Sequence, residues 1–331
     1  MSNPEVSVVM PVYNAESYVA EAIESILSQS FSDFEFLIFD DGSTDGSRTI
    51  VGNYVRCDGR VRLFEHSHKG YAHWLNEGIR IARGEFIARM DADDISLTER
   101  LTDQVKYMRE HPKCVVVGCD TLIIDQNGRQ LGVDRHESRP EFMEELLLNG
   151  THGVIAHPTS LMRRRTLLTI GLYREEFECI EDFDLWLRLT EVGELGNVSR
   201  PLFKYRVRPG SVCSTKFRTQ EHHADTIITQ ARMRRGLKPL KRSVWPYVHR
   251  TDDEAARLQL WSGCFLSLGN RKAALQYALS AILRRPFAIT SWMALCRVVI
   301  PQYIKKMVRN IFVKPVNLHR ARESRTTSNY A

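Results

Sequence analysis

No window of about 18 residues in this chain is free of charge, so no segment reads as a helix that spans a bilayer. The start, Met1-Ser2-Asn3-Pro4-Glu5-Val6, lacks a basic and apolar leader before its first strand-like run, so no signal peptide is expected. Cysteine is sparse and unpatterned. The seven (Cys57, Cys114, Cys119, Cys179, Cys213, Cys264 and Cys296) are odd in number, form no Cys-x-x-Cys pair and show no regular spacing. Neither a disulfide framework nor a structural zinc site follows, and a reducing cytoplasm is the expected compartment. There is no Gly-x-x-x-x-Gly-Lys-Ser/Thr loop and no Gly-x-Gly-x-x-Gly after the first strand, which argues against P-loop and dinucleotide enzymes.

What is present is an ordinary globular composition with an uneven charge. The 331 residues, 43% hydrophobic and 26% charged, suffice for one large domain or two smaller ones. From Arg232 to Ala331 there are 20 Lys+Arg against 4 Asp+Glu, a net of +16, whereas residues 1–231 carry −10. Such a change of sign predicts two regions with different partners.

Strands and helices alternate along the first hundred residues. Val6–Met10, Phe34–Phe39, Val61–Glu65 and Glu85–Met90 read as strands, with helices expected over Ala15–Gln29, from near Asp45, and over Tyr71–Ala82. That order predicts an α/β fold with a doubly wound, mostly parallel sheet, open to ligand at the strands' carboxyl ends. A helix over Leu97–Glu110 is expected to be followed by strands at Cys114–Val117 and Thr121–Asp125 and a turn at Asn127-Gly128. A short helix over Glu141–Asn149, a strand over Pro158–Arg163, a helix from Glu181 and a strand over Pro201–Arg208 complete this part. Past Arg232, three helical periodicities (Ala255–Leu268, Arg271–Leu283 and Ala288–Val299) predict a C-terminal helical extension whose end, from Met307, is polar and expected to be disordered. A helix pair around Gly269-Asn270 cannot bury itself and must pack on the main domain or a partner.

Carboxylates gather at two strand ends, Asp40/Asp41 and Asp91/Asp93/Asp94. If the last strand persists, Asp91 and Asp93 point the same way, and two like charges so placed call for a cation or a shared proton. Oxygen ligands of this kind suit Mg²⁺ or Mn²⁺; a solvated acidic turn capping the next helix is the plain alternative. The adjacent aspartates follow the second strand, unlike the first-strand Asp-x-Asp of haloacid-dehalogenase-type phosphatases.

Taken together, Val8-Val9-Met10-Pro11-Val12-Tyr13-Asn14, Asp40-Asp41-Gly42-Ser43-Thr44-Asp45, Asn76-Glu77-Gly78, Ala82-Arg83-Gly84-Glu85 and Asp91-Ala92-Asp93-Asp94 resemble, in order and spacing, the family-2 glycosyltransferases of GT-A fold, over residues 5–215. The resemblance implies a GT-A domain over residues 1–231, with a nucleotide-sugar half to about 118 and an acceptor half from about 119, and a basic helical extension over 232–331. It implies that Pro11, Tyr13 and Glu16 line a nucleotide pocket, that Asp41 accepts from the nucleobase, and that Lys69 and Gly70 contact base or diphosphate. Asp91 and Asp93, with Ala92 between them in the nucleotide-sugar site, would hold ribose and metal, and Asp94 would close the Mg²⁺ or Mn²⁺ site with Asp93. Core packing for Tyr13 and a helix cap for Asp41 are the structural alternatives.

Glu181-Asp182 resembles the family's Glu-Asp pair, with Asp182 the catalytic base that a sugar hydroxyl requires. A helix N-terminus keeps such a carboxylate ionised, and one base without a nucleophile implies inversion. His157, Glu181 and Trp186 fall on the acceptor side, with a strand entrance and core packing as the alternatives for His157 and Trp186. Arg208 of Tyr205-Arg206-Val207-Arg208 stands where relatives often carry a histidine; an arginine cannot ligate metal, so a diphosphate contact is expected of it. The Gln-x-x-Arg-Trp motif of processive synthases is absent, which implies the non-processive bacterial type: a hexosyltransferase moving one sugar from a nucleotide-diphospho-sugar, a UDP-sugar, to a glycan or lipid-linked acceptor in cell-surface polysaccharide or glycoconjugate synthesis. A catalytically inactive nucleotide-sugar-binding or scaffold protein of the same fold is the alternative. For the basic extension three roles stand open: an anionic membrane surface met through Lys305, Lys306, Arg309 and an apolar face of Trp292, Val298, Val299 and Ile304, packing against the acidic domain, or a partner. No motif points to nucleic acid. The expected location is cytoplasmic, peripheral on the inner face of the membrane.

Overall fold

A computed structural model describes residues 3–177, 179–207, 217–240 and 271–299, with isolated positions between 255 and 266. Arg208, Gly269-Asn270 and the chain from residue 300 on, including Ile304, Lys305, Lys306, Arg309 and the stretch from Met307, lie outside the described residues.

The first strand, β1 (Val6–Val12), is buried along nearly its whole length because β2 (Phe34–Asp40) and β4 (Phe86–Arg89) flank it in parallel. A strand covered on both faces reads as a continuous apolar run, which is how it appears in the sequence. Its alternate residues still feed opposite layers. Val9 joins Leu37, Trp74 and Leu75 on one side, while Val8 and Met10 join Ile23, Ile26 and Phe36 on the other. The second layer is covered by α1 (Val19–Leu27), α2 (Ser47–Cys57) and α4 (Arg100–Glu110); the first by α3 (Tyr71–Ile81), α5 (Pro140–Leu148), α6 (Arg164–Ile170), α7 (Glu181–Leu189) and α8 (Phe217–Arg234).

The sheet runs β3 (Val61–Glu65), β2, β1, β4, β8 (Leu161–Arg163), β6 (Cys114–Ile124), β9 (Glu194–Arg206) and β5 (Ile95–Ser96), with β7 (Gln130–Asp134) hairpinned to β6. Pairing is parallel through β3, β2, β1 and β4 and again between β6 and β9; β8, β7 and β5 pair antiparallel. Strand order reverses at β1, whose successors β2 and β3 lie on one side and β4 on the other. β4 stops pairing at Val9 whereas β2 follows to Val12. Pro11, which has no N–H for a ladder, falls just past that point, so the sheet splits between β1 and β4 where such folds bind ligands.

Local departures from expectation have identifiable causes. Helix α1 begins at Val19 rather than Ala15 because Asn14–Glu16 are tied to the loop after β2. Asn14 N–H donates to Ser43 Oγ, Ala15 N–H to Ser47 Oγ, and Gly46 N–H to Glu16 Oε2 at 2.5 Å. The expected break near Gly118 is instead an irregular stretch of one strand, β6, with register shifts against β9 on either side of Asp120. Gly118 is there for approach rather than for a turn, since a Cβ would stand 2.3 Å from Asn197 Oδ1. Helix α6, the first half of β9 and helix α8 were not anticipated; α8 runs through the position where the charge changes sign.

Two further helices, α9 (Arg271–Arg284) and α10 (Ile289–Val299), form a hairpin. Their buried residues Ala274, Ala278, Ala294 and Val298 pack on Ile123 and Leu131 of the β6–β7 hairpin beside Tyr205 and Val207. The extension is therefore docked on the sheet, and Val298, expected on an outward face, belongs to its inner one.

Candidate active site

Strand β4 ends at Arg89, so Asp91 and Asp93 do not share a face of a continuing strand as expected. They sit in a turn, in which Asp94 N–H approaches the Asp91 carbonyl at 3.5 Å. The turn still gathers the acids. One carboxylate oxygen from each of Asp91, Asp93 and Asp94 lies within 4.8 Å of the others. Asp94 is fully buried. Its Oδ1 accepts the main-chain N–H of Arg206 at 2.7 Å, and Oδ2 has no hydrogen-bond partner among the described residues. Burial, then the charges of Asp93 and Asp91, push the Asp94 carboxyl far above the usual carboxylate range. A buried oxygen without a donor, set among three acids, fits a hard divalent cation, and the all-oxygen donor set suits Mg²⁺ or Mn²⁺.

Arg206 closes this turn from behind. Its Nε donates to the Asp93 carbonyl at 2.6 Å, its Nη2 pairs with Glu21 at 2.6 Å, and its guanidinium lies over the Tyr18 ring. The neighbouring Arg208 lies outside the described residues, so within the Tyr205-Arg206-Val207 run it is Arg206 that is seen to hold the acidic turn.

The second group of acids is built differently. Asp41 is buried after β2, and its carboxylate accepts three N–H groups of the chain. Lys69 N–H and Trp74 Nε1–H donate to Oδ1 at 2.7 and 2.6 Å; Gly70 N–H donates to Oδ2 at 3.1 Å, and His68 Nδ1 stands 2.9 Å from it. Asp41 thus pins the turn that leads into α3, where Gly70 adopts φ +95°, a conformation open to glycine. Tyr13 is not core. It is 50% exposed, and its ring lies 4.7 Å from that of His68. Across the turn, His66 stacks on Trp74 at 4.3 Å, so flat side chains line this end of the crevice.

Opposite the acidic turn, helix α7 begins with Glu181-Asp182. Glu181 is buried; its Oε1 accepts from the Tyr71 hydroxyl and lies 3.5 Å from His157 Nδ1, whose Nε2 is 2.9 Å from the Tyr173 hydroxyl. Burial, reinforced by the charge of Asp182, pushes the Glu181 carboxyl up to about 8, and burial holds His157 far below its ordinary value, hence neutral. Asp182, half-buried, accepts the Phe183 N–H at 2.8 Å and is pushed up to about 6 by burial, against the opposing pull of Arg89. Arg89 itself is buried and pairs with Asp91 Oδ2 at 2.6 Å. One buried guanidinium therefore acts on the acidic turn and on the start of α7 at once.

The remaining predicted residues separate. His157 and Glu181 come together; Trp186, 1% exposed, lies in the core with its ring edge-on to His157, so of its two readings the structure gives the core one. Ala92 packs into the apolar layer, Pro11 stands at the split of the sheet, and Glu16 spends its carboxylate on Gly46 N–H. Tyr71, Arg89, Tyr173 and Arg206 were not singled out from the sequence. Arg89 is the last residue of β4 and meets Asp91 across the turn that follows, so strand alternation gave no signal for the pair. Tyr71 and Tyr173 reach Glu181 and His157 only through the tertiary fold and left no local signal.

The sequence model of a family described as Glycosyl transferase family 2 matches residues 7–171. EpsE of Bacillus subtilis (strain 168), named as a glycosyltransferase, is 39% identical over 210 residues, covering 62% of this chain and 74% of EpsE. The uncharacterized glycosyltransferase MJ1057 of Methanocaldococcus jannaschii is 32% identical over 214 residues, 62% of this chain and 72% of that one. Among solved structures, residues 1–349 of S. aureus TarS in complex with UDP-GlcNAc superpose with a TM-score of 0.54 at 16% identity, over 92% of each chain. The mannosyltransferase PcManGT from Pyrobaculum calidifontis, in complex with GDP-Man and Mn²⁺, superposes with a TM-score of 0.54 at 18% identity, over 94% of this chain and 85% of that one. At these identities the structural likeness establishes the fold.

Proposed function

The chain belongs to glycosyltransferase family 2, with the GT-A fold, and from that premise we propose an inverting, divalent-metal-dependent transfer of one sugar from a UDP-sugar to a hydroxyl of a glycan or lipid-linked acceptor. The observation that carries this reading is the acidic turn itself: carboxylate oxygens of Asp91, Asp93 and Asp94 lie within 4.8 Å of one another past the end of β4, with the buried Asp94 Oδ2 lacking a donor among the described residues.

Tyr13, with His66, His68 and Trp74 about it, offers flat surfaces for a nucleobase at the carboxyl end of β1. A base bonded through Asp41 would take the place beside Oδ2 where the exposed His68 side chain stands. Asp91, Asp93 and Asp94 would hold a divalent ion, which supplies positive charge to the diphosphate as it leaves. Asp182 takes the proton of the acceptor hydroxyl while its oxygen attacks the anomeric carbon; the bond to the diphosphate breaks and its electron pair departs with the nucleoside diphosphate. With a single base and no nucleophilic step, the configuration inverts. The neutral Glu181, held by Tyr71 and His157, keeps Asp182 as the ionised member of the pair. PcManGT's complex with Mn²⁺ and TarS's with UDP-GlcNAc support a metal and a nucleotide sugar here by analogy.

Nucleoside diphosphate release from a panel of UDP-, GDP- and TDP-sugars, with Mg²⁺, Mn²⁺ or a chelator, tests the proposal. Release from UDP-sugars that requires the metal is expected. Full release in the chelator would refute metal dependence, and release from GDP-sugars alone would refute the donor class.

A further inference from the structure

Helix α10 is apolar on two opposite sides. Ser291, Ala294 and Val298 face inward onto α9 and the β6–β7 hairpin. Ile289, Trp292, Met293, Cys296 and Val299, all exposed, fall within an arc of roughly 120° on the other side at 3.6 residues per turn. A solvent-facing helix surface is normally polar, and this one continues into an apolar tip. Leu283 is 83% exposed and Phe287 97% exposed at the turn between α9 and α10, where Trp292 Nε1–H donates to the Pro286 carbonyl and so keeps the indole against the turn. Exposed large apolar side chains that cluster in this way mark a surface meant to be covered.

The charge around the patch selects what covers it. Residues 271–299 contain Arg271, Lys272, Arg284, Arg285 and Arg297 and no Asp or Glu, whereas residues 1–231 are net negative. An anionic surface therefore attracts this hairpin and repels the catalytic domain, which orients the molecule. A protruding tip with arginines beside exposed Leu and Phe and a tryptophan at the boundary suits the headgroup region of a bilayer, into which apolar side chains sink while the guanidinium groups meet lipid phosphates. Among the described residues no helix is long and apolar enough to cross a membrane, so the contact is peripheral. The hairpin's inner face packs beside Tyr205 and Val207, which flank the Arg206 that grips the acidic turn.

We propose that the α9–α10 tip, through Leu283, Phe287, Ile289 and Trp292 with Arg284 and Arg285, docks the enzyme on an anionic lipid surface. This rests on the transferase reading only for its purpose, the presentation of a lipid-linked acceptor, and stands physically without it.

Co-sedimentation of the full chain with phosphatidylglycerol–phosphatidylcholine vesicles, and with pure phosphatidylcholine vesicles, is the test. Binding at least about tenfold tighter to the anionic vesicles is expected, with a loss of about tenfold or more in Leu283→Asp/Phe287→Asp and a loss of the anionic preference in Arg284→Gln/Arg285→Gln. These side chains are exposed, and unchanged metal-dependent nucleoside diphosphate release in solution shows that the variants fold. Vesicle binding equal in wild type and Leu283→Asp/Phe287→Asp overturns the proposal. So does a concentration-dependent dimer in light scattering that this variant dissociates while vesicles go unbound, because the patch then belongs to a second copy. Donor turnover without vesicle binding sinks the docking alone; vesicle binding without donor turnover sinks the transferase reading alone.

Discussion

Arg89 and Glu181 set the electrostatics of the site, and both are polar groups placed where water does not reach. Arg89 is flanked by Asp91 at 2.6 Å and acts on Asp182. Arg89→Met removes the buried partner of Asp91, whose own side chain is a third exposed, so it should cost about 1–3 kcal/mol in urea unfolding and move the acid limb of the rate profile to higher pH. An unchanged limb would show that Arg89 does not act on the base. The pH dependence follows from the base itself. Asp182 works ionised and is pushed up to about 6, so kcat should climb with pH through about 6 and then level. Glu181 gives a stability signature of the opposite sense. Folded, its carboxyl is pushed up to about 8 from the ordinary 4.5, so the folded chain keeps a proton that the unfolded chain releases between those values. The folded state binds more protons there, and stability falls as pH rises through that window. Glu181→Gln, neutral throughout, should flatten the fall between about pH 5 and pH 8; an equal slope in both proteins would place the protonation elsewhere.

At the scale of elements, helix α3 couples the sheet to the nucleotide end of the crevice, and two glycines permit its approach. A Cβ on Gly78 would lie 2.4 Å from Val9 Cγ1, and one on Gly84 would lie 2.6 Å from Ser7 N. Gly78→Ala should destabilise by about 1–3 kcal/mol and weaken donor binding, because α3 carries Trp74, which holds Asp41. A calorimetric melt and a donor titration check both. The Asn-x-Gly and Arg-Gly segments were readable in the sequence as blocks, but their reason is packing: Asn76 exchanges hydrogen bonds with the main chain of Tyr173, and the Arg83 N–H bonds buried Glu35. Strands β1 and β2 and helix α7 were legible because buried parallel strands are unbroken apolar runs and acids gather at a helix start; β3, only partly buried, gave a weaker signal. Helix α8 was not, since His222, His223 and Gln220 interrupt its apolar spacing, and Gly118 looked like a break because close approach and a turn leave the same letter. Of the candidate site, the sequence alone pointed to Asp91–Asp94 and Glu181-Asp182, where motif and chemistry are local. Tyr71, Tyr173 and the grip of Arg206 on Asp94, 112 residues away along the chain, exist only in the folded molecule.

Over the whole molecule, residues 1–231 are net acidic and a basic helical hairpin rests on the β6–β7 edge beside Tyr205 and Val207. The sheet splits between β1 and β4; the acidic turn follows β4, and the Glu181-Asp182 pair, proposed to supply the base, opens α7. This division of work makes separable predictions: the turn governs donor and metal binding, and the helix start governs turnover. Asp94→Asn, which alters the buried carboxylate of the turn, should weaken Mn²⁺-dependent donor binding by about tenfold or more in calorimetry, whereas donor binding unchanged by Asp94→Asn would remove the metal assignment. The most direct test is single-turnover sugar transfer to the true acceptor by wild type and Asp182→Asn, with UDP-sugar affinity measured alongside. The predicted result is a rate lowered by about 10³-fold with donor affinity held within about threefold, as befits a lost general base. Full turnover in Asp182→Asn, or lost donor affinity without a slower chemical step, would contradict it.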